Sequence, residues 1–165
     1  ASVNWDGIDL GLYGTYELLG SRNKLRRYIK GGVVDNAVAA ALYRKAKIGL
    51  NLYRTSMGFG RHAPRISGAE SLNPRALELA ATGCFTISDY RPEVAETFGD
   101  LVPTFADPTD LEDMIRFWLS HDAERAIRAR RLPGAVAGHT FDARAAQIID
   151  DLERFAARSY AVLTA

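Results

Sequence analysis

Asn73-Pro74-Arg75-Ala76-Leu77-Glu78-Leu79-Ala80-Ala81-Thr82-Gly83, followed at once by Cys84-Phe85-Thr86-Ile87-Ser88, is the stretch that sets the fold class. Asn73 suits an N-cap, because its side-chain oxygen can accept from a backbone N–H in the first turn, and Pro74 suits the first helical position, where an N–H would go unbonded. The following residues favour helix until Gly83, which tolerates the backbone that ends one. Cys84 to Ser88 is then a short apolar run and reads as a buried strand. Just upstream, Ile48-Gly49-Leu50-Asn51-Leu52-Tyr53 is a second run of the kind found in a buried parallel strand.

Working outward, the same alternation continues. Ile8 to Gly14 reads as a strand ending in a turn, residues 15–31 as helical and basic, and Val33-Val34 as a short strand edge. Asp35 caps a helix carrying Val38, Ala41, Leu42 and Ala46 at helical spacing. Downstream, Leu101–Phe105 is a strand that Pro103 confines to an edge or an end of the sheet. Asp107-Pro108 opens a helix with Leu111, Ile115, Trp118 and Leu119 on one face. Phe141, Ala145, Ile148, Leu152 and Phe155 follow a 4, 3, 4, 3 spacing, which predicts a last helix docking its stripe onto the domain. Strands alternating with helices predict an α/β fold with a doubly wound parallel sheet.

The 165 residues fit one domain spanning 1–165, and 47% hydrophobic with 25% charged residues excludes disorder and fibrous classes. A net charge of +1 supplies no global field for nucleic acid or an anionic membrane, so any anion site is local. The single Cys84 cannot form an intrachain disulfide and fits a reducing, cytoplasmic setting. No apolar stretch approaches the roughly 20 residues of a bilayer span. A start on Ala1, running almost at once into a strand, gives the expectation that the chain is a fragment.

In open parallel sheets ligands bind beyond the carboxyl ends of the strands, so the strand-to-helix loops are the candidate positions. Glu70-Ser71-Leu72-Asn73-Pro74-Arg75-Ala76-Leu77-Glu78 joins a helix N-terminus to a guanidinium and two carboxylates. Free N–H groups and Arg75 suit diphosphate oxygens, and carboxylates accept from sugar and ribose hydroxyls. Taken by themselves, the residues favour the plainer alternative, an i,i+3 surface pair of Arg75 and Glu78 worth a few tenths of a kcal/mol. The aperiodic segment 54–69 carries Arg54, Arg61, His62 and Arg65, either a cationic loop that closes over phosphates or a solvated one. The Tyr13-Gly14 turn either lets backbone approach a ligand or simply makes the turn. No Asp-x-Asp, Cys pair or His pair at metal-ligand spacing is present, and Gly11, Gly14 and Gly20 make no phosphate-binding glycine fingerprint.

These residues resemble the C-terminal domain of the group 1 glycosyltransferases, in particular the CgeB-like branch, over nearly the whole chain. The resemblance is carried by Leu12-Tyr13-Gly14, Ala46-Lys47-Ile48-Gly49-Leu50-Asn51, the block Asn73 to Gly83, Asp107-Pro108 with Leu111, and His139-Thr140-Phe141 followed by Arg144. It implies a Rossmann-like domain forming the C-terminal, donor-binding half of a GT-B fold, with an acceptor-binding N-terminal domain upstream. It also implies transfer of a sugar from a nucleotide-sugar co-substrate to an acceptor, with no further cofactor and no bound metal. Glu70 and Glu78, separated by seven residues, are similar to the paired glutamates of the family, the first facing the donor sugar and the second binding ribose. Ser71-Leu72 stands where many members have Phe-Gly, and the family's early Arg and Lys have no counterpart, so Arg75 takes part of the diphosphate load. Gly32-Val33 lies beside the base by the same resemblance, and His139-Thr140 starts a helix rather than supplying catalysis.

Two other classes fit the same fold. One is a GT-B sugar-nucleotide epimerase or a phosphorylase, the latter needing a cofactor lysine for which the sequence offers no context. The other is a non-catalytic flavodoxin-like or receiver-type module, which calls for acidic residues clustered at strand ends, and Gly14, Tyr53 and Asp89 share no such cluster.

Overall fold

The structure, a computed structural model, describes residues 3–17, 19–54, 66 and 68–163, with 158–163 described as backbone. Three parallel strands form its centre: β3 (Gly49–Asn51), β4 (Thr86–Asp89) and β5 (Thr104–Phe105), side by side in chain order. Gly49, Leu50 and Asn51 lie opposite Thr86, Ile87 and Ser88, and Ser88 and Asp89 lie opposite Thr104 and Phe105. β1 (Leu12–Tyr13) and β2 (Ile29–Gly31) form a separate parallel pair. Between the strands run α1 (Asn36–Lys45), α2 (Pro74–Ala81) and α3 (Pro92–Phe98), and after β5 come α4 (Pro108–Ser120), α5 (Asp122–Ala135) and α6 (Phe141–Leu163).

Helices cover both faces of the three-stranded sheet, as a doubly wound α/β fold requires. Alternation along the strand entry sends Cys84 to one face and Phe85 and Ile87 to the other. On the Cys84 face, α2 lies so close that a Cβ on Gly49 would fall 2.6 Å from Leu79 Cδ2 and 3.1 Å from Cys84 Sγ. Behind α2, the buried Ala76, Ala80, Val94, Phe98, Leu132 and Val136 form one core. On the other face Phe85 and Ile87 pack with Leu111, Ile115 and Trp118 of α4. Each expected cap is in place. Asp35 accepts from Val38 N, Asn73 from Ala76 N and Asp107 from Thr109 N, while Gly83 ends α2 with φ 70°. Thr140 Oγ1 accepts from Ala143 N, so His139-Thr140 does begin a helix.

Several expectations are corrected. Residues 15–31 are not helical: a short 3-10 turn, Lys24–Tyr28, leads directly into β2, because Ile29 to Gly31 gain a parallel partner in β1. Val33-Val34 is therefore past the strand, with Val33 78% exposed. The Ile8–Gly14 strand is confined to Leu12–Tyr13, since Ile8 instead packs into the core beneath α4. The apolar stripe of α6 does not dock on the described residues, leaving Phe141 96%, Leu152 62% and Phe155 71% exposed. No helix among the described residues is long and apolar enough to cross a membrane.

Candidate functional site

The carboxyl ends of β3 and β4 and the amino end of α2 meet on one side of the sheet, and the chemistry-bearing residues gather there. Asn73 has extended backbone and its Oδ1 accepts from Ala76 N at 2.9 Å, which starts α2 and leaves the N–H of Arg75 outside the helical ladder. One turn of helix places Arg75 and Glu78 three apart on one exposed face. Among the described residues neither forms an ion pair, so the surface pair that the spacing allows is not made.

The turn after β1 approaches the same place. Gly14 adopts φ 136°, a backbone conformation that a side chain would strain, and its N–H donates to Gly31 O at 3.3 Å. The chain then reverses so that the Tyr16 hydroxyl donates to Tyr13 O at 3.0 Å. Burial raises the Tyr16 phenol above its ordinary value, and the Arg75 charge acts against that rise. The Tyr16 phenol and the Arg75 guanidinium are thus within electrostatic reach of each other. Gly32 and Val33 lie beyond the carboxyl end of β2 with Tyr13 packed against neighbouring Gly31, and among the described residues neither is hydrogen-bonded to α2.

Glu70 and Ser71 are exposed and Leu72 is half-buried against the core. The backbone from Ala69 to Leu72 is held by two residues where β4 passes into α3, Arg91 and Glu93. Leu72 N donates to Glu93 Oε2 at 2.6 Å, Glu93 N donates to Glu70 O at 3.3 Å, and Arg91 Nη1 donates to Ala69 O at 2.7 Å. Asp89 Oδ2 accepts from Tyr53 N at 3.0 Å, and the Arg91 guanidinium lies over the Tyr53 ring, 4.8 Å from its centroid. Beneath them the fully buried Asn51 donates to Ser88 Oγ at 3.1 Å.

Sequence reasoning places Glu70, Ser71, Leu72, Asn73, Pro74, Arg75 and Glu78 along one continuous edge, with Tyr13 and Gly14 nearby. Arg54 is exposed just beyond β3, whereas Arg61, His62 and Arg65 lie outside the described residues. Tyr16, Tyr53, Asp89, Arg91 and Glu93 are missed. A signal for the last three exists: Asp89-Tyr90-Arg91-Pro92-Glu93 gathers three charges where a strand's carboxyl end passes into a helix opened by Pro. A recess of about 1080 Å³ lined by Trp5, Asn23, Arg26, Arg27, Leu52 and Pro108 includes none of these residues. Two of its three cations are engaged within the fold, Arg26 on Leu19 O at 2.8 Å and Arg27 on Asp6 and Tyr28, and the charged residues at the carboxyl end of β4 and the start of α2 lie outside it, so the α2 edge is the better candidate.

Neither a curated protein nor a solved structure matches the chain. A family model described as glycosyl transferase-like matches residues 3–150, which takes in both faces of the sheet, the β4–α3 connection and the whole α2 edge. The chain belongs to the glycosyl transferase-like family.

Proposed function

We propose that this domain is the donor-binding side of a GT-B type glycosyltransferase of the CgeB-like branch, which holds a nucleotide sugar at the start of α2 and passes the sugar to an acceptor. The observation that carries the reading is the exposed Arg75 and Glu78, without ion-pair partners among the described residues, at a helix N-terminus beside the carboxyl ends of the strands. The bond from the anomeric carbon to the diphosphate breaks, the acceptor oxygen bonds to that carbon, and the acceptor hydroxyl's proton passes to the departing diphosphate or to water. Negative charge collects on the departing nucleoside diphosphate. N–H groups at the start of α2 and the Arg75 guanidinium meet that charge, and they stabilise it best where the leaving group is most anionic. Glu78 accepts hydrogen bonds from ribose hydroxyls, Glu70 faces the donor sugar, and Gly32-Val33 lies by the base. The acceptor face comes from another domain of the same protein, and the nucleotide sugar is the only small molecule the scheme requires.

Calorimetric titration of UDP, GDP and ADP into wild type and Glu78→Gln tests this. The substitution keeps shape and removes a charged acceptor, so the nucleotide that binds wild type loses about 10- to 100-fold in affinity. Equal binding by the two folded proteins, judged by thermal melts, removes Glu78 from the site.

A further inference from the structure

The geometry points to Arg91 and Glu93 as positioning residues that hold the Ala69–Leu72 backbone, with Asp89 fixing Tyr53 beside them, in the single arrangement on which donor binding at α2 depends, an inference that rests on the proposed function. Each reaches out from the β4–α3 connection to a different main-chain atom. Glu93 grips the segment twice, its carboxylate accepting from Leu72 N and its own N–H donating to Glu70 O. Arg91 holds the residue before, Ala69, through its carbonyl. Asp89 fixes Tyr53, where the chain leaves β3, and Arg91 covers that ring. The departure from β3 and the entry to α2 are therefore tied to one five-residue stretch rather than to each other.

The local sequence makes this possible. Arg91 is the last extended residue before α3, at φ −142° and ψ 142°, and Pro92 at the first turn of α3 leaves Glu93 near the helix N-terminus, where a carboxylate is favoured. Segment 69–72 has no ladder partner, so without these side chains its backbone groups turn to water. Arg91 Nε and the Tyr53 hydroxyl are buried without a partner among the described residues, a polar burial cost that the arrangement bears. Glu70 is itself gripped through its carbonyl, between the bonds at Ala69 and Leu72, and Asn73, which caps α2, follows directly. Any shift of 69–72 therefore moves both the Glu70 carboxylate and the helix N–H groups.

The test pairs amide hydrogen exchange with titration of UDP, GDP and ADP in Arg91→Met, Glu93→Ala and the conservative Glu93→Gln, which keeps an acceptor oxygen. Exchange at the Leu72 and Glu93 amides, the two N–H groups that bond across to the segment, is expected to accelerate about 10-fold in Arg91→Met and Glu93→Ala, and the affinity of the bound nucleotide to fall by about 10-fold. Amides of β3 and β4 keep their protection, and Glu93→Gln restores most of both losses. Faster exchange at these two amides with unchanged nucleotide affinity overturns the inference, as does uniform acceleration across the sheet, which marks a purely structural role. A wild type that binds none of the three nucleotides removes the donor reading instead, while the exchange rates still decide whether these residues hold the segment.

Discussion

Gly49 begins β3 because nothing larger fits there. Leu79 and Cys84, 1% and 2% exposed, occupy the space a methyl group would take, and both belong to the packed face between α2 and the sheet. Gly49→Ala forces these side chains aside in a core with few voids, which costs about 1 to 3 kcal/mol, and chemical denaturation reads the loss directly. A change within 0.3 kcal/mol would show that α2 is free to move off the sheet. Gly49 also illustrates which residues the sequence alone misses. Asn73 and Asp35 act on backbone groups two or three positions away, so their roles are readable locally. Glu93 and Arg91 act across 21 and 22 positions, a distance at which only the fold brings partners together.

Elements were legible in proportion to how locally they are specified. Helices α1, α2 and α4 each carry the side-chain cap that the sequence predicts, and α4 buries its periodic face of Leu111, Ile115 and Trp118, whereas the Val38, Ala41 and Ala46 face of α1 stays exposed. β2 failed because its three residues follow a basic stretch of helical composition and are strand only by pairing with β1. α6 was found as a helix but its stripe was given the wrong surroundings, since periodicity reports which face is apolar and not what covers it. The α4–α5 junction shows what such patterns omit. Arg125, 7% exposed, donates to the Trp118 carbonyl at the end of α4 and to Asp122 at the start of α5, so one buried guanidinium bonds the last turn of one helix to the first of the next. Arg125→Ala strands that carbonyl and loosens the corner, which lowers stability by about 1 to 3 kcal/mol. Urea unfolding of the variant beside wild type measures it, and a loss under 0.5 kcal/mol would mean that water replaces the guanidinium freely.

At the scale of the molecule, Cys84 sits between α2 and the sheet, and its titration reports on that packing as a unit. Burial pushes its thiol up to about 11 from an ordinary 9, a hydrogen bond from the Gly49 backbone acting weakly the other way. The folded chain therefore keeps this proton in a range where the unfolded chain has lost it. With more protons bound in the native state, stability falls as pH rises: the contribution is complete below pH 9, shrinks through the interval and is gone above about 11. Two pH units correspond to about 3 kcal/mol. Tyr16, also raised by burial, titrates in the same alkaline region, so wild type alone does not isolate the thiol. Cys84→Ala does, because it removes this proton and leaves the others. Urea unfolding of both proteins at pH 8, 9, 10 and 11 should show wild type losing stability faster than Cys84→Ala, so that the gap between them falls by about 2 to 3 kcal/mol across the series. A gap that stays constant with pH would place the thiol in contact with water and deny the close packing of α2 on β3 and β4.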